Sequence, residues 1–269
     1  MRRNPRLLIG LAVAAIALLG YWGTSSVNPT TGETQHVAIT QEQEVALGLQ
    51  AAPEMAQQHG GEDPDSRANP LVDRVGAKLL SGSKAGQSGY PFDFHALADA
   101  NTINAFALPG GQVFITHALL ERLTTEGQLA GVLGHEIGHV VGRHGAEHIA
   151  KQQLTEGLTG AVVISTYDPN DPNSARTAQM AMLIGSLVNM RFGRQDELEA
   201  DEMGVDFMAD AGYDPRAMIE VMKILQQASE GGAPPEFFST HPNPENRIAR
   251  IEAAIQKRFP SGVPSNRTP

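Results

Sequence analysis

The chain of 269 residues contains no cysteine. Disulfide bridges, cysteine-ligated zinc and a thiol nucleophile are therefore excluded. Basic residues are also scarce, because 20 Lys and Arg stand against 30 Asp and Glu, and three of the arginines lie within the first 26 residues. The acidic remainder repels phosphate backbones, so we expect no nucleic-acid partner.

The chain has a pronounced apolar run at its N-terminus. Three arginines precede LLIGLAVAAIALLGYWG (residues 7–23), and polar residues follow it. This layout is typical of a secretory signal or of a single membrane anchor, with the arginines retained inside. We predict an exported protein of the bacterial periplasm. It is either soluble after loss of residues 1–26 or anchored to the inner membrane by residues 7–23.

The remaining chain is organised as one domain. Residues 27–39 are predicted as a linker, 40–258 as the domain and 259–269 as a flexible tail. The segment 92–100 alternates like a strand, and NAFALPGGQVFIT (104–116) is typical of a β-hairpin. Periodicity and capping residues predict helices over 40–60, 70–80, 124–151, 173–191, 195–211, 215–229 and 244–258. A small early sheet followed by helices predicts an α+β fold.

A histidine-rich stretch, GVLGHEIGHVVGRHGAEH (131–148), lies within the predicted helix 124–151. His135 and His139 are four residues apart, so they share one helix face and can bind one ion. Glu136 is turned by about 100°, where a general base can take a proton from zinc-bound water. The pattern H-E-x-x-H has only three fixed positions and arises by chance in roughly one or two chains in a hundred. Partners elsewhere must therefore support it.

Glycines recur through the same stretch at spacings of three and four. Each costs about 1 kcal/mol relative to alanine inside a helix, so the series needs a reason. The glycines form a bare stripe that predicts a tightly packed core helix approached by another backbone element. They are Gly131, Gly134, Gly138, Gly142 and Gly145.

A catalytic zinc needs a third protein ligand. The pattern H-E-x-x-H-x-x-G-x-x-H does not apply, because position 145 is glycine and His144 comes one residue early. On a continuing helix His144 would point away from the face of His135 and His139. We interpret His144 and His148 as a surface cluster near the helix end.

The predicted helix 195–211 offers carboxylates instead. Glu197 and Asp201 are four residues apart on one face, so one can ligate zinc while the other orients a ligating histidine. Glu199 lies on a different face and is the weaker candidate. The alternative interpretation is a solvated acidic helix start that favours the helix dipole.

Three motifs together carry a family resemblance: GHEIGHVVGRH, NMRFGRQDELEADEMG and NAFALPGGQVFI. They resemble the HtpX/BepA/Oma-type zinc metallopeptidases, family 48 of the metallopeptidases and relatives of the CaaX prenyl proteases. The resemblance covers roughly residues 40–258. It implies a zincin-like domain that is mostly helical, with a small β-sheet whose edge strand lines the active-site cleft. It also implies one Zn²⁺ per chain, held by His135, His139 and Glu197, with Asp201 as the supporting carboxylate.

The segment STHPNPENRI resembles the C-terminal His-Pro element of that family. The resemblance implies catalytic roles for His241 near the metal or the oxyanion and for Arg247 on the substrate backbone. The alternative is helix-cap chemistry, with Arg247 only pairing with an acid. An edge strand that pairs with extended substrate is expected at Asn104, Ala105, Phe106 and Ala107.

The expected function is a zinc-dependent endopeptidase that cleaves unfolded, misfolded or damaged envelope proteins, with Glu136 as general base. The first alternative is a latent, chaperone-like member of the same fold whose zinc site is closed by His241. The second is a structural envelope protein with incidental histidines, which predicts no stoichiometric zinc.

Overall fold

A computed structural model describes residues 5–166, 193–230, 235–241 and 246–269. The helix expected over 173–191 lies outside these residues. The chain forms two compact units. The smaller unit contains residues 1–28, 32–39 and 145–193, and the larger contains 29–31, 40–144 and 194–269.

The smaller unit contains the N-terminal helix α1 (Pro5–Gly23), a short hairpin of β1 (Ser25–Val27) and β2 (Thr34–His36), and most of α6 (His144–Thr166). Among the described helices, α1 alone is long and apolar enough to cross a membrane, a test that a signal sequence also passes. The residues predicted as a linker thus contribute the second strand of a hairpin.

The larger unit contains a three-stranded sheet. Its strands are β3 (Asp93–Leu97), β4 (Ala105–Leu108) and β5 (Gln112–Thr116), in the order β3-β5-β4. β3 runs parallel to β5, and β4 runs antiparallel to it. Gly110 and Gly111 turn the chain between β4 and β5 with φ of 90° and 107°, a region that glycine enters without strain. The predicted hairpin is confirmed, and β4 is an edge strand of the described sheet.

Helices make up most of the larger unit, which confirms the mostly helical α+β prediction. Thr40 and Thr125 begin α2 and α5 with capping boxes to Gln43 and Gln128. The helices are α2 (Gln41–Gln58), α3 (Ala68–Gly82), a 3₁₀ turn (Lys84–Gln87), α4 (His117–Leu120), α5 (Glu126–Val141), α7 (193–210), α8 (Ala217–Glu230), α9 (Phe237–Thr240) and α10 (Arg247–Arg258).

The single helix expected over 124–151 is wrong, because the chain breaks between α5 and α6. Arg143 adopts a left-handed conformation with φ of 61°, which an α-helix does not accommodate. Its guanidinium binds the buried carboxylate of Glu44 on α2, which also accepts a 2.9 Å hydrogen bond from Tyr90 Oη. A contact with a distant helix thus holds the break.

Gly134 and Gly138 of the predicted glycine stripe pack against α7, as expected, whereas Gly142 and Gly145 lie beyond the end of α5. A Cβ on Gly138 would lie 2.9 Å from the carbonyl oxygen of Ala200, and one on Gly134 would lie 3.5 Å from the Cα of Gly204. The backbones of the two helices therefore lie in direct contact. This contact determines where the side chains of α5 and α7 meet.

The last residues of the chain lie against the larger unit. The amide of Thr268 donates to Gly212 O at 3.1 Å, and Asp214 N donates to Thr268 O at 2.8 Å. Gly127 N at the start of α5 donates to Pro269 O at 2.7 Å. The segment predicted as a tail thus contributes backbone hydrogen bonds to this unit.

Candidate metal centre

Four side chains from three parts of the fold converge beside the α5–α7 contact. His135 and His139 come from α5, Glu197 comes from α7, and His241 directly follows α9. One ligand atom from each lies within 4.8 Å of all the others. The Nε2 atoms of His135 and His139 are 3.1 Å apart, and each lies 3.3 Å from a Glu197 oxygen. We call these four residues the metal centre.

The outward-facing ring nitrogens show that the centre suits a metal. His135 Nδ1 donates to Asp201 Oδ1 at 2.9 Å, and His241 Nε2 donates to the carbonyl oxygen of Ala105 at 3.2 Å. A neutral imidazole has one N–H, so a ring that donates outward presents a bare lone pair inward. Inward lone pairs facing one another and a carboxylate are the donor set of a metal site.

The buried charged groups around the metal centre carry a net negative charge, which also favours a bound cation. Glu136, Glu197 and Asp201 are at most 2% exposed, and among the described residues the buried cation that contacts Glu197 and Asp201 is Arg247. Counted as ionised, these groups leave two negative charges, which a divalent cation neutralises. Neither oxygen of Glu136 has a hydrogen-bond partner among the described residues, although Oε1 lies 3.5 Å from His241 Nε2.

The protonation of the metal-free centre follows from its contacts. Burial and Arg247 lower the pKa of His135, but hydrogen bonds to Asp201 and Glu197 outweigh them and raise it to about 9. Burial raises the pKa of Glu197, yet its contacts with His135, His139 and His241 hold it far below its ordinary range. Burial, opposed by Glu197, holds the pKa of His139 well below its ordinary value. The carboxylates that face His135 thus favour positive charge at the centre.

Arg247 lies behind the centre and holds two acids. Its Nε and Nη2 donate to Asp201 at 2.7 and 2.9 Å, and Nη1 lies 3.2 Å from Glu197 Oε2. The pairing with an acid, given as the alternative from the sequence, is present in the structure. Contact with a substrate stays a prediction.

The expected edge strand runs beside the centre. Asn104 precedes β4, and Ala105, Phe106 and Ala107 lie within it. Two carbonyls of this edge are bonded to the segment around α9: Ile103 O accepts from Phe237 N, and Ala105 O accepts from His241 Nε2, both at 3.2 Å. The chain's own segment therefore occupies part of the edge that would receive a substrate.

The interpretation of His144 as a surface residue is wrong. It is 5% exposed, and its Nδ1 lies 2.9 Å from Nδ1 of His139. Its Nε2 lies 3.4 Å from Glu199 Oε2. The break after α5 redirects His144 toward His139, so the assumption of a continuous helix caused the error. Gly142 was the available signal, because glycine is typical of helix ends.

The fold and the centre define a zincin-like metallopeptidase domain. The model of Peptidase family M48 matches residues 66–255, and the chain belongs to this metal-dependent family.

Relatives with curated names include two bacterial proteins and one mitochondrial protein. The beta-barrel assembly-enhancing protease of Escherichia coli is 34% identical over 213 residues, covering 75% of this chain and 42% of that protein. Its namesake in Yersinia pestis is 30% identical over 274 residues, covering 95% and 53%. The mitochondrial metalloendopeptidase OMA1 of Schizosaccharomyces pombe is 35% identical over 183 residues, covering 67% and 51%. The chain spans about half the length of these relatives.

Proposed function

We propose that the chain is a zinc-dependent endopeptidase that hydrolyses peptide bonds of unfolded or damaged envelope proteins. The convergence of His135, His139 and Glu197 carries this proposal, because their inward donor atoms match the ligands of a catalytic zinc. Membership of the M48 family supports a metalloendopeptidase. The names of the bacterial relatives, which refer to β-barrel assembly, favour substrates of the envelope.

Each side chain at the metal centre has a distinct role in hydrolysis of the scissile bond. When bound, zinc supplies a Lewis acid that polarises a carbonyl and lowers the pKa of water. Glu136 accepts the proton of the attacking water and returns it to the leaving amine nitrogen. Asp201 keeps His135 in the tautomer with a free Nε2, and Arg247 fixes Asp201 in turn.

Substrate binding is assigned to the edge of β4. An extended peptide adds to such an edge through main-chain hydrogen bonds, which suits substrates of varied sequence. An unfolded polypeptide offers this backbone, whereas a folded protein does not. We also assign residues 1–26 to export, as a signal peptide or a membrane anchor, and residues 40–258 to the peptidase domain.

Cleavage of casein by the purified full-length chain in detergent tests the proposal. Zinc content is measured alongside, with wild type, a chelator-treated sample and Glu136→Gln. We expect Glu136→Gln to retain zinc and to lose about 10²- to 10⁴-fold in kcat. Equal turnover by this variant would refute the assigned base, and a wild type without stoichiometric zinc would refute the metal.

A latent, chaperone-like binder is the second candidate, and His241 favours it. Its Nδ1 lies 3.4 Å from His135 Nε2 and 3.1 Å from Glu197 Oε1, so it takes a position that water needs. Glu136 behind it is fully buried.

His241→Ala separates the two candidates. A latent site predicts zinc-bound wild type with little casein cleavage and a variant that cleaves faster. A slower variant would assign His241 to catalysis instead.

A further inference from the structure

His144 and Glu199 form a hydrogen-bonded chain that ends on His139. His139 Nδ1 lies 2.9 Å from His144 Nδ1, and His144 Nε2 lies 3.4 Å from Glu199 Oε2. His139 directs its other nitrogen, Nε2, into the metal centre. His144 and Glu199 therefore reach the metal centre from outside, and neither contributes a ligand atom to it.

The direction of the hydrogen bonds follows from the chemistry of the last member. An ionised carboxylate only accepts, so His144 Nε2 must donate to Glu199. A neutral His144 then has a bare Nδ1, which can only accept from His139 Nδ1–H. His139 in that tautomer has no proton on Nε2. One carboxylate thus sets the proton positions of two successive rings.

The opposite direction is incompatible with metal binding. If His144 Nδ1 donated to His139, a neutral His139 would hold its proton on Nε2. That N–H would point at Glu197 Oε1, 3.3 Å away, and occupy the lone pair that a metal needs. Fixing the tautomer therefore favours the metal-bound form.

The surrounding structure holds the ring of His144 in place. The left-handed Arg143 turns the chain so that α6 begins at His144. A Cβ on Gly142 would lie 2.5 Å from His144 Nε2, so the absence of a side chain there leaves room for the imidazole. His144 is buried, whereas Glu199 is 38% exposed at its side chain.

We propose that His144 and Glu199 are positioning residues that fix the tautomer and ring orientation of His139, so that metal retention depends on both. This inference rests on the proposed zinc site. His135 receives the same support directly from Asp201, so the two histidines of the H-E-x-x-H pair are held by different devices. Outer partners of this kind are worth about 10- to 100-fold in metal affinity.

Zinc affinity by chelator competition at fixed pH tests the inference without relying on turnover. We expect His144→Ala to weaken binding by about 10- to 100-fold and Glu199→Ala by less, because its effect passes through His144. His144→Asn should recover most of the loss, since its amide oxygen takes the place of Nδ1 as acceptor. The control is His148→Ala, an exposed histidine on α6, which should match wild type.

A second measurement separates positioning from a loss of folding. Long-range ¹H–¹⁵N spectra of the protein without zinc should show His139 protonated on Nδ1 in wild type and in His144→Asn, but not uniformly so in His144→Ala. Thermal unfolding of the metal-free variants reports any structural loss. If His144→Ala does not fold, the more exposed Glu199→Ala carries the test.

The outcomes distinguish this inference from the proposed function. Wild-type zinc affinity in both His144→Ala and Glu199→Ala would overturn the positioning role alone. A wild type that binds no more zinc than His135→Ala would overturn the zinc site and the positioning role together.

Discussion

The larger unit contains two clusters of histidines and acids that have opposite internal arrangements. In the surface cluster, which comprises His95 and His117 with their polar partners, every ring nitrogen faces an acceptor. His117 Nδ1 lies 2.6 Å from Asp63 and Nε2 lies 3.0 Å from Glu121, while His95 faces Glu62 and Gln112 at 3.2 and 3.0 Å. In the metal centre, nitrogens face one another.

The difference shows that composition does not define a metal site. In the surface cluster each ring has a carboxylate beside it that can accept its N–H, so its hydrogen bonds are made within the protein. Rings that place their lone pairs together at 3.1 Å repel one another unless a proton or a cation lies between them. Convergence of bare acceptor atoms is therefore the diagnostic feature.

Removal of one zinc ligand should give the largest difference in zinc affinity between variants of the two clusters. We expect His135→Ala to reduce zinc affinity by more than the 10- to 100-fold attributed to an outer partner, because it deletes a donor atom. His95→Ala in the surface cluster should bind zinc as wild type does. Zinc content after dialysis checks both, and equal loss in the two variants would erase the distinction between the clusters.

Removal of the buried cation, Arg247, should give the second-largest effect. Arg247→Met leaves Asp201 and Glu197 without their guanidinium partner, and we expect a loss of about 3–5 kcal/mol in the unfolding free energy of the metal-free chain. Arg74→Met, on an arginine 62% exposed beside Glu126, is the matched control and should change far less. Urea unfolding measures both. Similar losses would mean that the burial of the pair contributes nothing.

Zinc itself should stabilise only through the metal centre. At about one hundred times its Kd, a ligand that binds the folded state alone adds about 2.7 kcal/mol to the unfolding free energy. We expect this gain in wild type and in His117→Gln, and none in His135→Ala. Unfolding with and without zinc checks it, and a gain in His135→Ala would place the ion elsewhere.

The unfolding free energy should depend on pH through His117 of the surface cluster. The hydrogen bond to Asp63 raises the pKa of His117 above its ordinary value of 6.5. The contribution to stability is therefore complete below that value and is lost as pH rises through the raised pKa. Compared with His117→Gln, wild type should be more stable by less than about 1 kcal/mol near pH 5.5, and the difference should shrink near pH 9. A stability difference that grows with pH would contradict the raised pKa of His117.

Local periodicity was sufficient for part of the centre. The four-residue spacing places His135 and His139 on one face and Glu136 beside them, because neighbouring residues determine a helix face. The same reasoning reduced the third ligand to Glu197 or Asp201, and the family resemblance selected Glu197. The structure places Glu197 among the donors and Asp201 behind His135.

The remaining features depend on contacts between distant parts of the chain. His144 turns toward His139 because Arg143 binds Glu44, which lies 99 positions earlier. The bond from His241 to Ala105 spans 136 positions and involves a backbone carbonyl. Periodicity describes a helix from its own residues, so it reports neither a break held by another helix nor a partner without a side chain.

The bare face of α5 sets the dimensions of the centre. An added methyl group at Gly138 would meet Ala200 O at 2.9 Å, so main chain rests on main chain where the two ligand-bearing helices cross. The distance between the two imidazoles and Glu197 therefore depends on the packing of backbone atoms, whose positions do not vary with side-chain rotamers. Any side chain at Gly138 would therefore have to move α7 and Glu197 away from the two imidazoles.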